Sequence, residues 1–413
     1  METSPPPDWD VVVIGAGAAG LMAATHAAER GKRVLLLEKN RKPGVKILMS
    51  GGTRCNITHH CDNRGIVAAY GVPGKFLHSA LAAFSVQQTV QFFEAEGVAT
   101  KIEDTGKVFP VSNKALDVLE ALLSRLRRSG ATLALEEPVT EMDRAAPGLR
   151  LVTPKRTIHA AGVVMTTGGQ SFPGCGTRGD GFRFAAKFGH TIVSPKPSLV
   201  PITIDVPWVN ELRGITLDDV GMKVLERDKV LSAKRGGFLF AHFGLTGPAP
   251  LNISKAISLH PDPKSLQLEL DFLPTRTEAE TDDFLKTESL ASGKKQLAGV
   301  LSEHLPRRLA DTLLTLTKQP LDRKASGLTK ADRAALVTAI KRLRIPVRGT
   351  LGFEKAEVTA GGVSLDEVDS RTMQSKLVPG LFLAGEVLDL DGPIGGFNFQ
   401  AAWSTGWLAG RSV

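Results

Sequence analysis

The sequence predicts an α/β fold in which one sheet, assembled from the two ends of the chain, is interrupted by a β-rich and helical insert. Three observations carry this. An apolar strand, a glycine-rich turn and an alanine-rich helix open the chain at residues 10–40. A second apolar strand, glycine-rich turn and small-residue helix close it at residues 380–410. Between about Pro195 and Pro346 the pattern changes to short strands and then to amphipathic helices.

The opening reads DVVVIGAGAAGLMAATHAAERGKRVLLLEKN. Val11–Ile14 are continuously apolar, as expected of a parallel strand buried on both faces. Gly15, Gly17 and Gly20 then fit G-x-G-x-x-G. Gly15 makes the tight turn, and Gly17 lets the backbone approach a pyrophosphate. Gly20 lets helix and strand close up, with the helix N-terminus facing the phosphates. A second strand, Val34–Leu37, ends in Glu38, where such folds carry an acid that takes ribose hydroxyls. The glycines alone are a weak signal. Strand, turn, helix, strand and acid in that order define a Rossmann-type dinucleotide site. Glu38 would repel a 2′-phosphate, so NADP is disfavoured here and FAD or NAD remains.

The far end decides between them. GLFLAGEVLDLDGPIGGFNFQAAWSTGWLAG is an apolar strand followed by Gly385 and Glu386, then a glycine-rich turn that opens a helix near Gly395. A second helix N-terminus, remote in sequence, suits a long two-ended cofactor. Its N–H groups would stabilise negative charge on a reduced isoalloxazine ring. An ordinary closing strand and helix would hardly need Gly392, Gly395 and Gly396 within five residues. FAD is the expected cofactor.

The 413 residues suffice for two or three domains. Cys55, Cys61 and Cys175 are too few for a disulfide framework, which points to a reducing compartment. The start, METSPPPDWD, has no basic n-region and no cleavage pattern. Val11–Leu21 is too short to span a bilayer and is broken by three glycines. A cytoplasmic protein with no membrane segment is expected. Oligomeric state is not readable. Histidines and cysteines show no zinc-like pairing, and no nucleophile-elbow motif supports a hydrolase.

We expect four segments. Residues 1–194 and 346–413 form the two parts of a discontinuous FAD-binding domain. Residues 195–280, with SLVPITIDV, GMKVLE and SLQLELDF, form a barrel-like β insert. Residues 281–345, with LAGVLSEHLPRRLADTLLTL and LTKADRAALVTAIKRL, form a basic helical insert. Together the inserts are expected to roof the flavin. There are no internal repeats and no low-complexity segment beyond Pro5–Pro7. No second G-x-G-x-x-G follows a strand, so NADH or NADPH as electron donor would have to visit the flavin pocket directly.

Residues 281–350 contain fourteen Lys or Arg against seven Asp or Glu, nearly all of the chain's net charge of +8. Arg307, Arg308, Arg323, Lys324, Lys341, Arg342, Arg344 and Arg348 are the main contributors. Such a stretch is either the footprint of an RNA substrate or a solvated face.

Six motifs together carry a family resemblance over nearly the whole chain. They are GAGAAG with Glu38, KILMSGGTRCNIT (46–58), TTGGQSFPGCGTRGDG (166–181), FAHFGLTGPA (240–249), VTAGGV (358–363) and LAGEVLDLDGPIGGFNFQAAWSTG. The chain resembles the bacterial flavoproteins of the aminoacetone oxidase-like and bile-acid-reductase-like family, within the glutathione-reductase-type FAD superfamily. The resemblance implies that KILMSGGTRCNIT lies along the FAD. Lys46, Arg54 and Asn56 would contact the pyrophosphate and ribityl region, and Ser50, Gly51 and Gly52 would let the backbone approach. Thr167, Gly168 and Gly169 would form a second passage along the cofactor. Ala18, Ala19, Lys39, Val139, Gly385, Glu386, Asp391, Gly395, Gly396, Phe397 and Asn398 would complete the binding set. Thr53 departs from the family's third glycine. Asp180 suits the N-cap of the helix after Gly179.

Two enzyme classes compete. One reduces a conjugated C=C bond of a small molecule, or oxidises an amine; the other reduces uridine to dihydrouridine in ribosomal RNA, binding it through residues 281–350. A flavin-binding protein without turnover would not need the complete cofactor set. For proton transfer the candidates are His242, because histidine as a residue type suits proton transfer near neutrality, and Cys55, whose pKa Arg54 would lower. Cys55 also reads as a buried structural cysteine. Purified protein should be yellow and release FAD, not FMN, on heating; a colourless protein that refuses added FAD would contradict the reading.

Overall fold

The computed structural model describes residues 7–291 and 294–413. Pro5 and Pro6 of the proline run, and Ser292 and Gly293 of the basic stretch, lie outside the described residues. The chain divides into two compact units, Met1–Pro197 with Glu357–Val413, and Ser198–Ala356.

The first unit is built on a parallel sheet. Trp9–Ile14 pairs with Val34–Leu37 on one side and with Thr157–Met165 on the other, and Thr132–Ala134 extends the sheet beyond Val34–Leu37. Thr157–Met165 then divides its free edge. Its first half pairs antiparallel with Leu149–Val152, which turns back onto Glu141–Arg144. Its last three residues pair parallel with Leu381–Leu383, from the far end of the chain. Both ends of the sequence therefore feed one sheet, the discontinuous architecture expected.

The helix Ala18–Ala28 is buried almost throughout, because its small side chains let other elements close on every side. The closing helix, Phe397–Ser412, lies directly on it. A Cβ on Gly406 would stand 2.4 Å from Ala19 O, and one on Gly410 would stand 2.3 Å from Ala23 O. Only glycine permits this approach. The closing helix is also tied to the segment after residue 50. Trp403 is fully buried and donates its indole N–H to Ile57 O at 2.9 Å. Gln400 accepts from Thr58 Oγ1 at 2.6 Å and donates to Thr89 Oγ1 at 2.9 Å.

The second unit holds a seven-stranded antiparallel sheet. Its order is Leu343–Pro346, Leu266–Asp271, Thr216–Glu226, Lys229–Ala241, Gly244–Thr246, Ile202–Thr203 and Gly349–Thr350. Three expectations are corrected here. The strand order runs from edge to edge, so the sheet is open where a barrel was expected. The β-rich and helical stretches are one unit, because Leu268 of the sheet shares a single buried cluster with Leu297, Leu309, Leu313 and Leu336 of the helices. The second part of the first unit begins at Glu357, not at residue 346, because Gly349–Thr350 is drawn into the second sheet by Ile202–Thr203.

The glycine contact sets a test. Gly406→Ala forces a methyl group into the Ala19 backbone and should cost about 1–3 kcal/mol. In urea the midpoint should fall with m unchanged; an unaltered midpoint would mean that the two helices separate without cost.

Candidate cofactor site

The site is described within the first unit. Gly15 has φ +100°, and a Cβ there would meet Thr166 O at 2.7 Å. A Cβ on Gly20 would fall 1.8 Å from Gly15 O, so helix and turn touch through backbone. Gly17 differs from both. It is the N-cap of Ala18–Ala28, makes no side-chain cap, and has nothing within 4 Å of where a Cβ would be. Uncapped N–H groups beside open space are what a pyrophosphate requires. Ala18 and Ala19 form the first turn of that helix.

Glu38 is only 8% exposed. Its carboxylate accepts from Ala16 N–H at 2.9 Å and from Asn40 N–H at 2.8 Å, and no cation pairs with it among the described residues. Two backbone donors fix its direction while lone pairs remain for hydroxyl groups, which fits a ribose. Lys39 is paired with Asp180 at 2.6 Å. Asp180 is the first residue of its helix and Gly179, at φ +78°, is the cap, so the expected N-cap is corrected. Val139 is partly buried against the core beneath the sheet.

The segment 46–58 begins as a helix and is then broken. Ser50 is extended at ψ 150°, and Gly51 and Gly52 are left-handed at φ 55° and 66°. Thr53 and Cys55 are left-handed too, at φ 69° and 60°. A β-branched residue held there stores about 1–3 kcal/mol, so Thr53 keeps the turn at a cost that a glycine would avoid. Gly51 lies against Phe109, whereas Gly52 faces open space. Arg54 pairs with Glu103 at 2.7 Å and lies 4.0 Å from the centroid of the Phe109 ring. Lys46 pairs with Glu386 at 2.6 Å and donates to Ser171 Oγ at 2.9 Å. Both cations expected at the pyrophosphate thus have protein carboxylates as partners.

Cys55 is fully buried, and burial pushes its thiol up to about 12. The neighbouring Arg54 does not lower it; the thiol is removed from solvent, which corrects its candidacy for proton transfer. His242 is exposed in the turn between Lys229–Ala241 and Gly244–Thr246, its ring 4.9 Å from that of Phe243. It belongs to the second unit.

The second passage and the closing turn are interlocked. Gly168 is left-handed at φ 70°, and Thr167 Oγ1 is buried with no partner, an orphaned group that a cofactor would satisfy. A Cβ on Gly169 would fall 2.4 Å from Thr359 Oγ1, which accepts from Gln170 N–H and Ser171 N–H at 2.8 and 2.9 Å. Glu386 accepts from Thr359 N–H and from Ser171 Oγ, both at 2.8 Å. Ser171 and Thr359 escaped attention as site residues because hydroxyl residues carry no pattern of their own, although both stand inside quoted motifs. Gly385, left-handed at φ 76°, donates its N–H to Thr405 Oγ1 at 3.0 Å and abuts Ala19. Asn56, with its amide turned to suit its neighbours, accepts from Gly396 N–H and donates to Thr58 O, both at 3.0 Å. Asn398 is bound to its own turn, accepting from Gly392 N–H at 2.8 Å and donating to Gly392 O at 3.0 Å. Asp391 lies close enough to Tyr70 to act on its hydroxyl electrostatically. The helix Phe397–Ser412 starts after Gly396 with no side-chain cap, a second open N-terminus.

Among the described residues no cluster of metal-ligating side chains occurs, and no helix is long and apolar enough to cross a membrane. Two open helix N-termini, an acid held by two backbone N–H groups at a strand end and glycine-lined passages on one sheet fit an FAD-dependent oxidoreductase. The chain belongs to the family described as HI0933-like protein Rossmann domain, whose model matches residues 9–412. It is 33% identical to a ribosomal RNA dihydrouridine synthase of Escherichia coli, over 98% of each chain. It is 31% identical to a 3-dehydro-bile acid delta(4,6)-reductase of Clostridium scindens, over 97% of this chain and 98% of that one. A flavocytochrome c3 fumarate reductase shares the fold at a TM-score of 0.51 and 16% identity, covering 99% of this chain and 78% of that one.

Removing the Glu38 carboxylate tests the site. Glu38→Ala should weaken FAD binding by about 1.5–3 kcal/mol, the range for hydrogen bonds to a charged group. Titration of apoprotein with FAD reads this directly, and unchanged affinity would move the ribose elsewhere.

Proposed function

We propose that the protein saturates a carbon–carbon double bond conjugated to a carbonyl group, that its substrate is a uridine in structured ribosomal RNA, and that NADH or NADPH is the electron donor. One observation carries this reading. The chain aligns end to end, at nearly equal identity, with proteins named for two unrelated substrates and a single kind of transformation. A uracil ring and a 3-oxo bile acid with Δ4,6 unsaturation both present a double bond polarised by a carbonyl. In both, a hydride adds to the carbon remote from the carbonyl and a proton to the carbon beside it. Bound reduced FAD supplies the hydride. The chain's own residues hold the cofactor, and Lys46 and Glu386 offset each other's charge there.

RNA is preferred to a small molecule because a second relative, from Haemophilus influenzae, has the same rRNA name at 32% identity over 97% of this chain. The net charge of +8 and a pI of about 9.4 agree with a polyanionic partner. The arginines singled out from sequence need revision, however. Arg307, Arg323, Arg342 and Arg344 pair with Asp311, Asp332, Glu278 and Asp228 respectively. Lys341 is buried and pairs with Asp271 at 2.8 Å. Among the described residues Arg308 and Lys324 hold no carboxylate, so phosphate contacts within the proposed set fall to them.

The test is anaerobic. Protein reduced by NADH or NADPH is mixed with ribosomal RNA, with a conjugated bile acid, or with neither, and flavin reoxidation is followed. RNA should reoxidise the flavin and gain two hydrogens on a uridine. The double variant Arg308→Glu with Lys324→Glu should weaken RNA binding and lower its salt slope by about 1.4–1.8, two contacts' worth. Reoxidation by the bile acid alone would move the substrate to small molecules. Flavin that an amine reduces and only dioxygen reoxidises would replace the reductase reading with an amine oxidase.

A further inference from the structure

Three residues between positions 56 and 70 grip the turn before the last helix. Asn56 takes the Gly396 N–H. His59 Nδ1 lies 3.1 Å from Gly395 O, so this nitrogen carries the proton. The same ring stacks on Phe397, with centroids 4.5 Å apart and planes 22° apart. Tyr70, the sole tyrosine of the chain, donates its hydroxyl to Phe397 O at 3.1 Å, with Asn398 Oδ1 3.3 Å away. Its ring lies against Gly392, where a Cβ would come within 2.7 Å of Cζ. Burial, with Asp391 and Glu386 near by, raises the phenol well above its ordinary value, so it remains a donor throughout the working pH range.

These grips fall on the residues that aim the helix. Gly395 precedes the N-cap, Gly396 is the N-cap and Phe397 is the first helical residue. The cap residue is a glycine and offers no side chain to the first turn, so the N–H groups that follow it are left for a ligand. The field of a helix terminus falls off within its first turn, so small changes in its direction alter what it does to a nearby charge. Reduction of a flavin adds negative charge, which the positive pole of a helix favours.

We propose that Tyr70 and His59 are positioning residues that fix the N-terminal pole of the last helix and through it set how strongly the protein prefers reduced over oxidised FAD. The inference rests on the FAD-dependent class and not on the identity of the substrate. Loss of either grip loosens the glycine turn, because Gly392, Gly395 and Gly396 offer little resistance to rotation.

Tyr70→Phe deletes the hydroxyl and keeps the ring against Gly392. The readouts are the midpoint potential of bound FAD against a redox dye, the affinity of apoprotein for oxidised FAD, and thermal unfolding. The preference for reduced FAD should fall about tenfold, a drop of about 30 mV for a two-electron couple, with oxidised FAD bound nearly as before. A role confined to structure would lower the unfolding temperature and the FAD affinity and leave the potential unmoved, which would overturn the proposal. If Tyr70→Phe fails to fold, His59→Phe keeps the stack on Phe397 and deletes the bond to Gly395 O. The same drop in potential is expected there, and an unchanged potential in that variant refutes the proposal.

Discussion

The first unit depends on backbone meeting backbone where the closing helix crosses the opening one. Gly406 and Gly410 present no side chain, and Ala19 and Ala23 present their carbonyls, so the two axes come closer than ordinary side chains allow. Protein interiors are packed so densely that one methyl group at such a crossing has nowhere to go. The crossing brings two helices with open N-termini, one behind Gly17 and one behind Gly396, onto one sheet. Gly385, pressed against Ala19, continues the same contact into the turn that carries Glu386.

Two acids at strand ends then divide the electrostatic work. Glu38 is oriented by two backbone N–H groups and, among the described residues, meets no cation. Glu386 is surrounded by Lys46, Ser171 and the Thr359 N–H. The first keeps lone pairs for neutral hydroxyl donors. The second balances a lysine, because an unpaired charge at a half-buried site would carry a desolvation penalty. The broken helix at Ser50–Thr53 lies between these systems in sequence. Its left-handed residues bring Lys46 and Asn56 toward opposite partners, Glu386 and Gly396.

In the second unit, charge counted along the sequence and charge available at the surface differ. Residues 281–350 have a surplus of seven positive charges. Several of their arginines are taken up by acids that lie elsewhere in the chain, as Arg344 is by Asp228 and Glu269, and Arg348 by Asp205. Exposed pairs of this kind contribute little to stability, about 0–1 kcal/mol each. They do decide which cations face outward without a partner.

The sequence alone pointed to the dinucleotide turn, an acid after the second strand, the discontinuous chain order and the cofactor class, because each rests on motifs whose own residues stand a few positions apart. Gly15, Gly17, Gly20 and Glu38 are legible because a turn, a helix start and a strand end impose local spacing. Tertiary structure alone decided the rest. Whether Arg54 meets a phosphate or Glu103, whether Cys55 is reactive or sealed, and which lysines lack a carboxylate all depend on partners tens or hundreds of positions away. His59 and Tyr70 show this most clearly. Nothing near them in the chain announces a role, and their partners at Gly395 and Phe397 stand more than three hundred residues further along. Hydrogen bonds and ion pairs act over a few ångströms of space, and only the folded sheet, with its two ends drawn together at Gly406 and Gly410, sets which residues lie within that range.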